Sequence, residues 1–251
     1  PRDAKSGRNE ELGQGLYRGW MLRPEKYAEL YQGLLQKNIQ LINDPEEYRH
    51  CHYLPESYEL IKEYTAKSKY KAIEGKFRIE DFEEELSSFG KSPIIVKDYV
   101  KSQKHYWDEA CYIPNPTIRS NANAIISKFI ELQGEDFNEG LVFREFIELE
   151  ALSNHSISGM PLTKEFRVFV KDKKVMSVYE YWDEGNYEQV APIIEEFHEV
   201  IPKIKSKFYT MDIAKQKGGK WIIIELGDGQ VAGLPDNANK LDFYKRLKAQ
   251  A

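Results

Sequence analysis

Tyr209-Thr210-Met211-Asp212-Ile213-Ala214 and Trp221-Ile222-Ile223-Ile224-Glu225-Leu226 are two apolar runs on either side of Gly218-Gly219, and each carries one acid. A Gly-Gly pair between β-rich runs signals a two-residue hairpin, because both central residues of the favoured turn take positive φ. With that turn Lys217 pairs with Lys220, and counting outward sets Asp212 opposite Glu225. Directly paired residues share a face with Cβ atoms about 5 Å apart, and like charges there repel unless a cation lies between them. A divalent metal meets that need; a solvent-facing pair of acids at the open end of a hairpin is the alternative. Ile222, Ile224 and Leu226 alternate with Trp221, Ile223 and Glu225, so both faces of this strand are largely apolar, as in a covered central strand. An acid on such a strand needs a partner or a cation. One or two carboxylates, with phosphate oxygens completing the shell, describe a nucleotide-bound magnesium ion. Gly227-Asp228-Gly229-Gln230 places a third acid beside the pair.

The remaining composition bounds the reading. At 251 residues the chain buries a substantial core as one large domain or two intimate lobes. A net charge of -5 disfavours a general nucleic-acid footprint. Cys51 and Cys111 stand far apart without a CxxC pair, which points to a reducing compartment and a cytoplasmic protein. His50-Cys51-His52 has no second ligand pair at zinc spacing and reads as packing around a helix end. No apolar run approaches the ~20 residues of a membrane helix. Pro1 to Gly19, polar with four glycines and without an initiator Met, reads as a flexible, processed or truncated end. Gly90-Lys91-Ser92 mimics a phosphate-binding loop, but Glu85 stands where its first glycine is required, and Gly13-Gln14-Gly15 follows no strand.

Periodicity places helices at Pro24–Lys37, Pro55–Tyr64, Ile79–Phe89, Thr117–Gln133, Val190–Ile204 and about Asn237–Leu247. Strands are expected at Ile39–Ile42, Tyr70–Ile73 and Leu141–Leu149, and in a hairpin of Glu165–Val170 and Val175–Trp182 around Lys171-Asp172-Lys173-Lys174. The run Pro93-Ile94-Ile95-Val96 ends in Lys97, on the face of Ile95 and Tyr99. A lysine emerging from an apolar strand is a point charge for a phosphate, or a side chain snorkelling from the strand's end. Lys101, Lys104 and His105 follow in a basic loop, either a phosphate cover or a solvated turn. Blocks of strand pairs and helices indicate an α+β fold. The polar segment Gln133–Gly140 marks the boundary between the lysine-bearing and the carboxylate-bearing parts, giving segments 1–65, 66–136 and 137–251.

Five stretches, taken in order, resemble the ATP-grasp fold: Gly19-Trp20-Met21-Leu22-Arg23-Pro24, Ile95-Val96-Lys97-Asp98-Tyr99, Val142-Phe143-Arg144-Glu145-Phe146, Glu165-Phe166-Arg167-Val168-Phe169, and Met211-Asp212 with Glu225 to Gln230. More closely, the chain resembles the divergent ATP-grasp clade that includes the eukaryotic assembly chaperone for initiation factor two and bacterial and phage ATP-grasp domain proteins. The resemblance implies two α+β lobes whose antiparallel sheets enclose a nucleotide site, plus a short N-terminal αβ segment. It implies that Lys97, with Lys101 and Arg144, holds the phosphates of ATP. The strand end Glu145-Phe146-Ile147 would read adenine through its backbone, and Glu148 or Glu150 would bind the ribose. Arg167 would approach the γ-phosphate, and Asp212, Glu225 and Asp228 would hold Mg2+. The implied activity is an ATP-dependent carboxylate–amine ligase acting on a protein, a peptide or a small molecule. An ATP-loaded assembly chaperone is the alternative, and Tyr179 to Glu184 would line a substrate or partner surface in either case. The family pattern often has Asn where Gly227 stands, and no glycine-rich lid is visible between Phe77 and Gly90.

Overall fold

The computed structural model describes residues 12–75, 77–154, 156, 161–187, 190–236 and 238–249. At the N-terminal end β1 (Gly13–Gly15) pairs in parallel with β2 (Ile39–Leu41) across helix α1 (Pro24–Leu35). Pro24 opens α1 where a missing N–H is harmless, and Tyr27 and Tyr31 are buried four residues apart on its inner face. A capping box starts α2 (Pro45–His52): the Asp44 carboxylate accepts from the Glu47 N–H at 2.8 Å and the Glu47 carboxylate accepts from the Asp44 N–H at 2.8 Å. Helix α3 (Leu54–Ile61) follows.

The first lobe comprises β3 (Ser68–Ala72), α4 (Glu83–Ser87), β4 (Ile94–Asp98), α5 (Trp107–Ala110), β5 (Tyr112–Ile113), α6 (Arg119–Gln133) and β6 (Gly140–Glu145). Its antiparallel sheet has the order β3-β6-β4-β5. Strand alternation divides its faces. Ile94, Val96, Leu141 and Phe143 pack with Ile125, Ile126 and Phe129 of α6, while Ile95, Lys97 and Arg144 face a cleft. Membership of β6 in this sheet moves the lobe boundary from the polar 133–140 segment to beyond Glu145. The strand expected to reach Leu149 also stops at Glu145, which pairs with Ile94; the neighbouring Pro93 has no N–H to extend the ladder.

A small hairpin of β7 (Ala151–Asn154) and β8 (Pro161–Thr163) leads into the second lobe. There β9 (Glu165–Lys171), β10 (Lys174–Glu180), β11 (Phe208–Lys215) and β12 (Trp221–Asp228) form an antiparallel sheet in the order β10-β9-β11-β12. Phe166, Val168, Met211, Ile213, Trp221 and Ile223 bury one face against Leu54, Ile61, Phe197, Val200 and Ile204. Helix α7 (Lys240–Ala249) seals the far end with Phe243 and Leu247 on Phe169, Met176 and Phe208; Asn237, the expected start of that helix, lies outside the described residues. The expected helix Val190–Ile204 is instead two 3-10 turns, Ile194–Phe197 and Ile201–Lys203. Pro202 accounts for the end of that segment, since inside an α-helix it would remove the hydrogen bond to the His198 carbonyl and clash with that turn.

The two hairpin turns exchange the roles their sequences suggest. Asp172 and Lys173 both take positive φ, 46° and 65°, and close β9–β10 as a two-residue turn without glycine. Between β11 and β12 only Gly219 has positive φ, the loop spans Lys217-Gly218-Gly219, and the Gln216 N–H donates to the Lys220 carbonyl at 2.9 Å. The pairing therefore runs Lys215↔Trp221, Ala214↔Ile222 and Ile213↔Ile223, one residue off the expected register, until a bulge at Ile224 restores Asp212↔Glu225. The longer loop and the bulge cancel. Without the bulge, Glu225 would follow Trp221 and Ile223 into the core; with it, Ile222, Ile224 and Glu225 all line the cleft.

Arg144 secures that irregularity from the opposite sheet. Its buried guanidinium donates to the Ile224 carbonyl at 2.6 Å, the Ile223 carbonyl at 3.0 Å and the Thr65 hydroxyl at 2.7 Å. A bulge leaves a residue outside the ladder, and Arg144 supplies donors at that place. Replacing it by Met should take this donor from the Ile224 carbonyl and leave the Ile223 carbonyl only the Thr65 hydroxyl, lowering stability by about 1–3 kcal/mol. Urea denaturation checks this; a loss below about 0.5 kcal/mol, the usual range for surface changes, would remove the clamp.

Candidate active site

Register across the second sheet builds a row of charge. Arg167 on β9 lies opposite Asp212 on β11, which lies opposite Glu225 on β12. Arg167 grips Asp212 bidentately, Nε to Oδ1 at 2.8 Å and Nη2 to Oδ2 at 2.7 Å, and its Nη1 donates to the Gly233 carbonyl at 3.1 Å. The Tyr181 ring lies 4.7 Å from the guanidinium carbon. From the first sheet, Lys97 Nζ reaches to 3.8 Å from Glu225 Oε2. The like charges of the acid pair are thus relieved by one cation from each lobe. Lys97 is buried, and Asp212 is only 3% exposed, whereas the Glu225 side chain opens into the cleft.

The electrostatics follow from these placements. Burial would lower the Arg167 guanidinium, but its bonds to Asp212 and the charge of that carboxylate raise it. Desolvation pushes the Asp212 carboxyl up, with Arg167 working against it. Desolvation also acts to raise Glu225, yet Lys97, Lys104, Arg167 and Arg144 outweigh it and hold this carboxyl below the usual range. Burial lowers the Lys97 ammonium, and Glu225 offsets part of that fall. Burial likewise lowers Arg144, to about 10.

The cleft between the lobes has a volume of about 1320 Å³. Lys101, Lys104 and His105 line it on a loop whose start is fixed by Asp98: this buried carboxylate accepts from the N–H groups of Val100 at 2.7 Å and Lys101 at 2.5 Å, and from Gln133 Nε2 at 2.6 Å. Glu145, Phe146, Ile147 and Glu148 line the edge where the chain passes between the sheets. Phe146 packs there against Trp107 and Tyr112, at 5.8 and 5.2 Å between ring centroids. Glu148 pairs with exposed Lys217 at 2.6 Å, and Glu150 pairs with Lys164 at 2.7 Å and Lys215 at 2.9 Å. Both acids suggested for a ribose thus have lysine partners, and Glu148 also lines the cleft. Glu165, which sequence reasoning passed over, is 7% exposed, lines the cleft and accepts from the Thr163 hydroxyl at 2.5 Å, with no ion pair among the described residues. Its signal was available: it lies two residues before Arg167, hence on the same strand face.

Asp228 lines the same cleft as the other two acids but has different partners. Its fully buried carboxylate accepts from Asn43 Nδ2 and from the Gln230 N–H at 2.9 Å, and among the described residues no group of three acids, histidines or cysteines converges to hold a metal ion. Asp212 and Glu225, two hard oxygen donors on one row, fit a magnesium ion whose remaining ligands come from phosphates. His50 and His52 are buried at the end of α2, each pushed down to about 4 by burial, as helix-end packing requires. No helix among the described residues is long and apolar enough to cross a membrane.

Residues 85–247 match the family described as ATP-grasp domain, R2K clade family 3. The chain belongs to that ATP-grasp family. Among solved structures the fold is similar to the ATP-grasp ligase PsnB with its minimal precursor, at TM-score 0.54 and 14% identity over 90% of this chain and 68% of that one. It is similar to the RimK domain ATP-grasp protein from Sphaerobacter thermophilus DSM 20745, at 0.56 and 11% over 90% and 74%. Cdc123 from Schizosaccharomyces pombe gives 0.51 and 16% over 81% and 91%. No curated protein sequence matches the chain. The two-lobed ATP-grasp architecture with antiparallel sheets is as expected.

Burial is the main cause that raises Asp228, from 3.8 to about 7, against the hydrogen bonds of Asn43 and Gln230. A carboxyl that holds its proton more tightly when folded contributes stability below about pH 4 and loses it as pH rises through 7, on the order of 4 kcal/mol. Asp228→Asn should flatten that fall. Parallel pH profiles of urea stability for the two proteins would exclude the shift.

Proposed function

We propose that this ATP-grasp protein is a magnesium- and ATP-dependent carboxylate–amine ligase, and the row Arg167–Asp212–Glu225 facing Lys97 across the cleft carries that reading. Phosphoryl transfer needs positioning and charge neutralisation more than a protein nucleophile, and the cleft supplies both. Lys97 and the Lys101–His105 loop would hold the phosphates, the Glu145–Ile147 edge would read adenine through backbone groups, and Glu165 would accept the ribose hydroxyls. Arg167 would stabilise charge on the transferring γ-phosphoryl group. A magnesium ion held by Asp212 and Glu225 would neutralise the β- and γ-phosphate oxygens. A substrate carboxylate oxygen attacks the γ-phosphorus, forming an acyl-phosphate and releasing ADP. An amine then attacks the acyl carbon, phosphate leaves, and the amine gives up a proton as the amide forms.

PsnB supports this reading, since it is an ATP-grasp ligase captured with a precursor peptide and AMPPNP and with Mg and ADP. We place the protein in the cytoplasm because Cys51 and Cys111 are buried free thiols, which suits a reducing compartment. A second reading, an ATP-loaded assembly factor without ligation, is favoured by the commitment of Arg167 to Asp212 and Gly233. Turnover separates the two: Arg167→Ala in a ligase loses kcat more than nucleotide affinity.

Glu165→Gln should weaken ATP by about 10-fold or more, the range for a hydrogen bond to a charged group. The same change should leave 2′,3′-dideoxy-ATP affinity unaltered. Equal losses for both nucleotides in calorimetry would withdraw Glu165 from the ribose.

A further inference from the structure

The Arg167 fork satisfies both oxygens of Asp212, the more deeply buried of the two acids suited to a divalent ion. A guanidinium and a magnesium ion compete for the same carboxylate: the fork already takes a lone pair of each oxygen, and two cations on one carboxylate repel each other. Three features hold the guanidinium in place. The Tyr181 ring lies against it at 4.7 Å, the Gly233 carbonyl accepts from Nη1 at 3.1 Å, and β9 and β11 fix Arg167 directly opposite Asp212. Arg167 also has an alternative destination. It lines the same cleft as Lys97, Lys101 and Lys104, the cations suited to a polyphosphate, and two of its five N–H groups remain after the three bonds to Asp212 and Gly233.

We infer that Arg167 guards the metal site: in the free protein it occupies Asp212 and excludes a divalent ion, and a nucleotide polyphosphate draws the guanidinium away so that the ion enters with the nucleotide. The inference rests on the nucleotide-site reading above and adds the order in which its ligands bind. Glu225 alone would then be open to an ion in the free protein. One monodentate carboxylate with Lys97 at 3.8 Å is a poor site, because that ammonium repels an incoming cation. The coupling is reciprocal, so what lowers metal affinity without nucleotide also makes the metal strengthen nucleotide binding.

The test is Mn2+ binding, followed by electron paramagnetic resonance of the free ion, to the wild-type chain and Arg167→Met without nucleotide and then with AMPPNP. Guarding predicts weak Mn2+ binding to the free wild type, binding to free Arg167→Met tighter by about 10-fold or more, and loss of that gain in the Arg167→Met/Asp212→Asn double variant. AMPPNP should tighten Mn2+ in the wild type far more than in Arg167→Met. Equal Mn2+ affinities in the two free proteins overturn the inference, as does a gain that survives Asp212→Asn. Circular dichroism of each variant confirms the fold. Calorimetry with AMPPNP alone reads the nucleotide site separately: absence of nucleotide binding would overturn the functional reading, whereas nucleotide binding with equal free-state Mn2+ affinities would overturn only the guard.

Discussion

The Arg144 guanidinium, buried between the two sheets and bonded to the Ile223 and Ile224 carbonyls, is the interaction on which the site depends. It acts where β12 departs from regular pairing, and that departure puts Glu225 on the cleft face beside Asp212. A regular β12 would bury Glu225 among Trp221, Ile223 and the aromatic core, where an unpaired carboxylate costs several kcal/mol. The same side chain ties the first lobe to the second, so lobe geometry and acid placement are set together. Thr65 joins the arrangement by donating its hydroxyl to the Ile223 carbonyl at 2.6 Å. The charge on Arg144 also helps to keep Glu225 ionised.

Charge balance is the second constraint. Asp212 is matched by Arg167 from its own sheet and Glu225 by Lys97 from the other, which relieves the repulsion between these two acids. The balance is asymmetric. The Arg167 fork is short and bidentate, whereas Lys97 stands off at 3.8 Å with Glu225 facing the cleft. A fold that neutralises its own buried acids in this way does not need an added cation to remain stable.

Much of this was legible in the sequence because strand alternation and the order of charged residues are local properties. Lys97 after Ile94-Ile95-Val96, Arg167 within Phe166 and Val168, and the pairing of Asp212 with Glu225 all follow from them. That last pairing was reached through a turn the chain does not make; the three-residue loop and the bulge at Ile224 offset each other. Features set by contacts between distant segments were not legible. Asp228 follows Glu225 by three residues, yet Asn43, far away in sequence, draws it into a separate network. Glu148 and Glu150 were equivalent candidates in sequence, and their lysine partners Lys217, Lys164 and Lys215, like the place of Glu165 in the cleft, come from segments the local pattern does not connect. The lobe boundary was misplaced because a polar connection does not reveal which sheet the next strand joins.

Titrating ATP into the protein by calorimetry, with and without magnesium and again with Asp212→Asn, tests the central claim most directly. The account predicts binding that is strengthened by magnesium in the wild type and insensitive to magnesium in Asp212→Asn, with both proteins folded. ATP affinity that ignores magnesium in the wild type, or a magnesium effect that persists in Asp212→Asn, would contradict it.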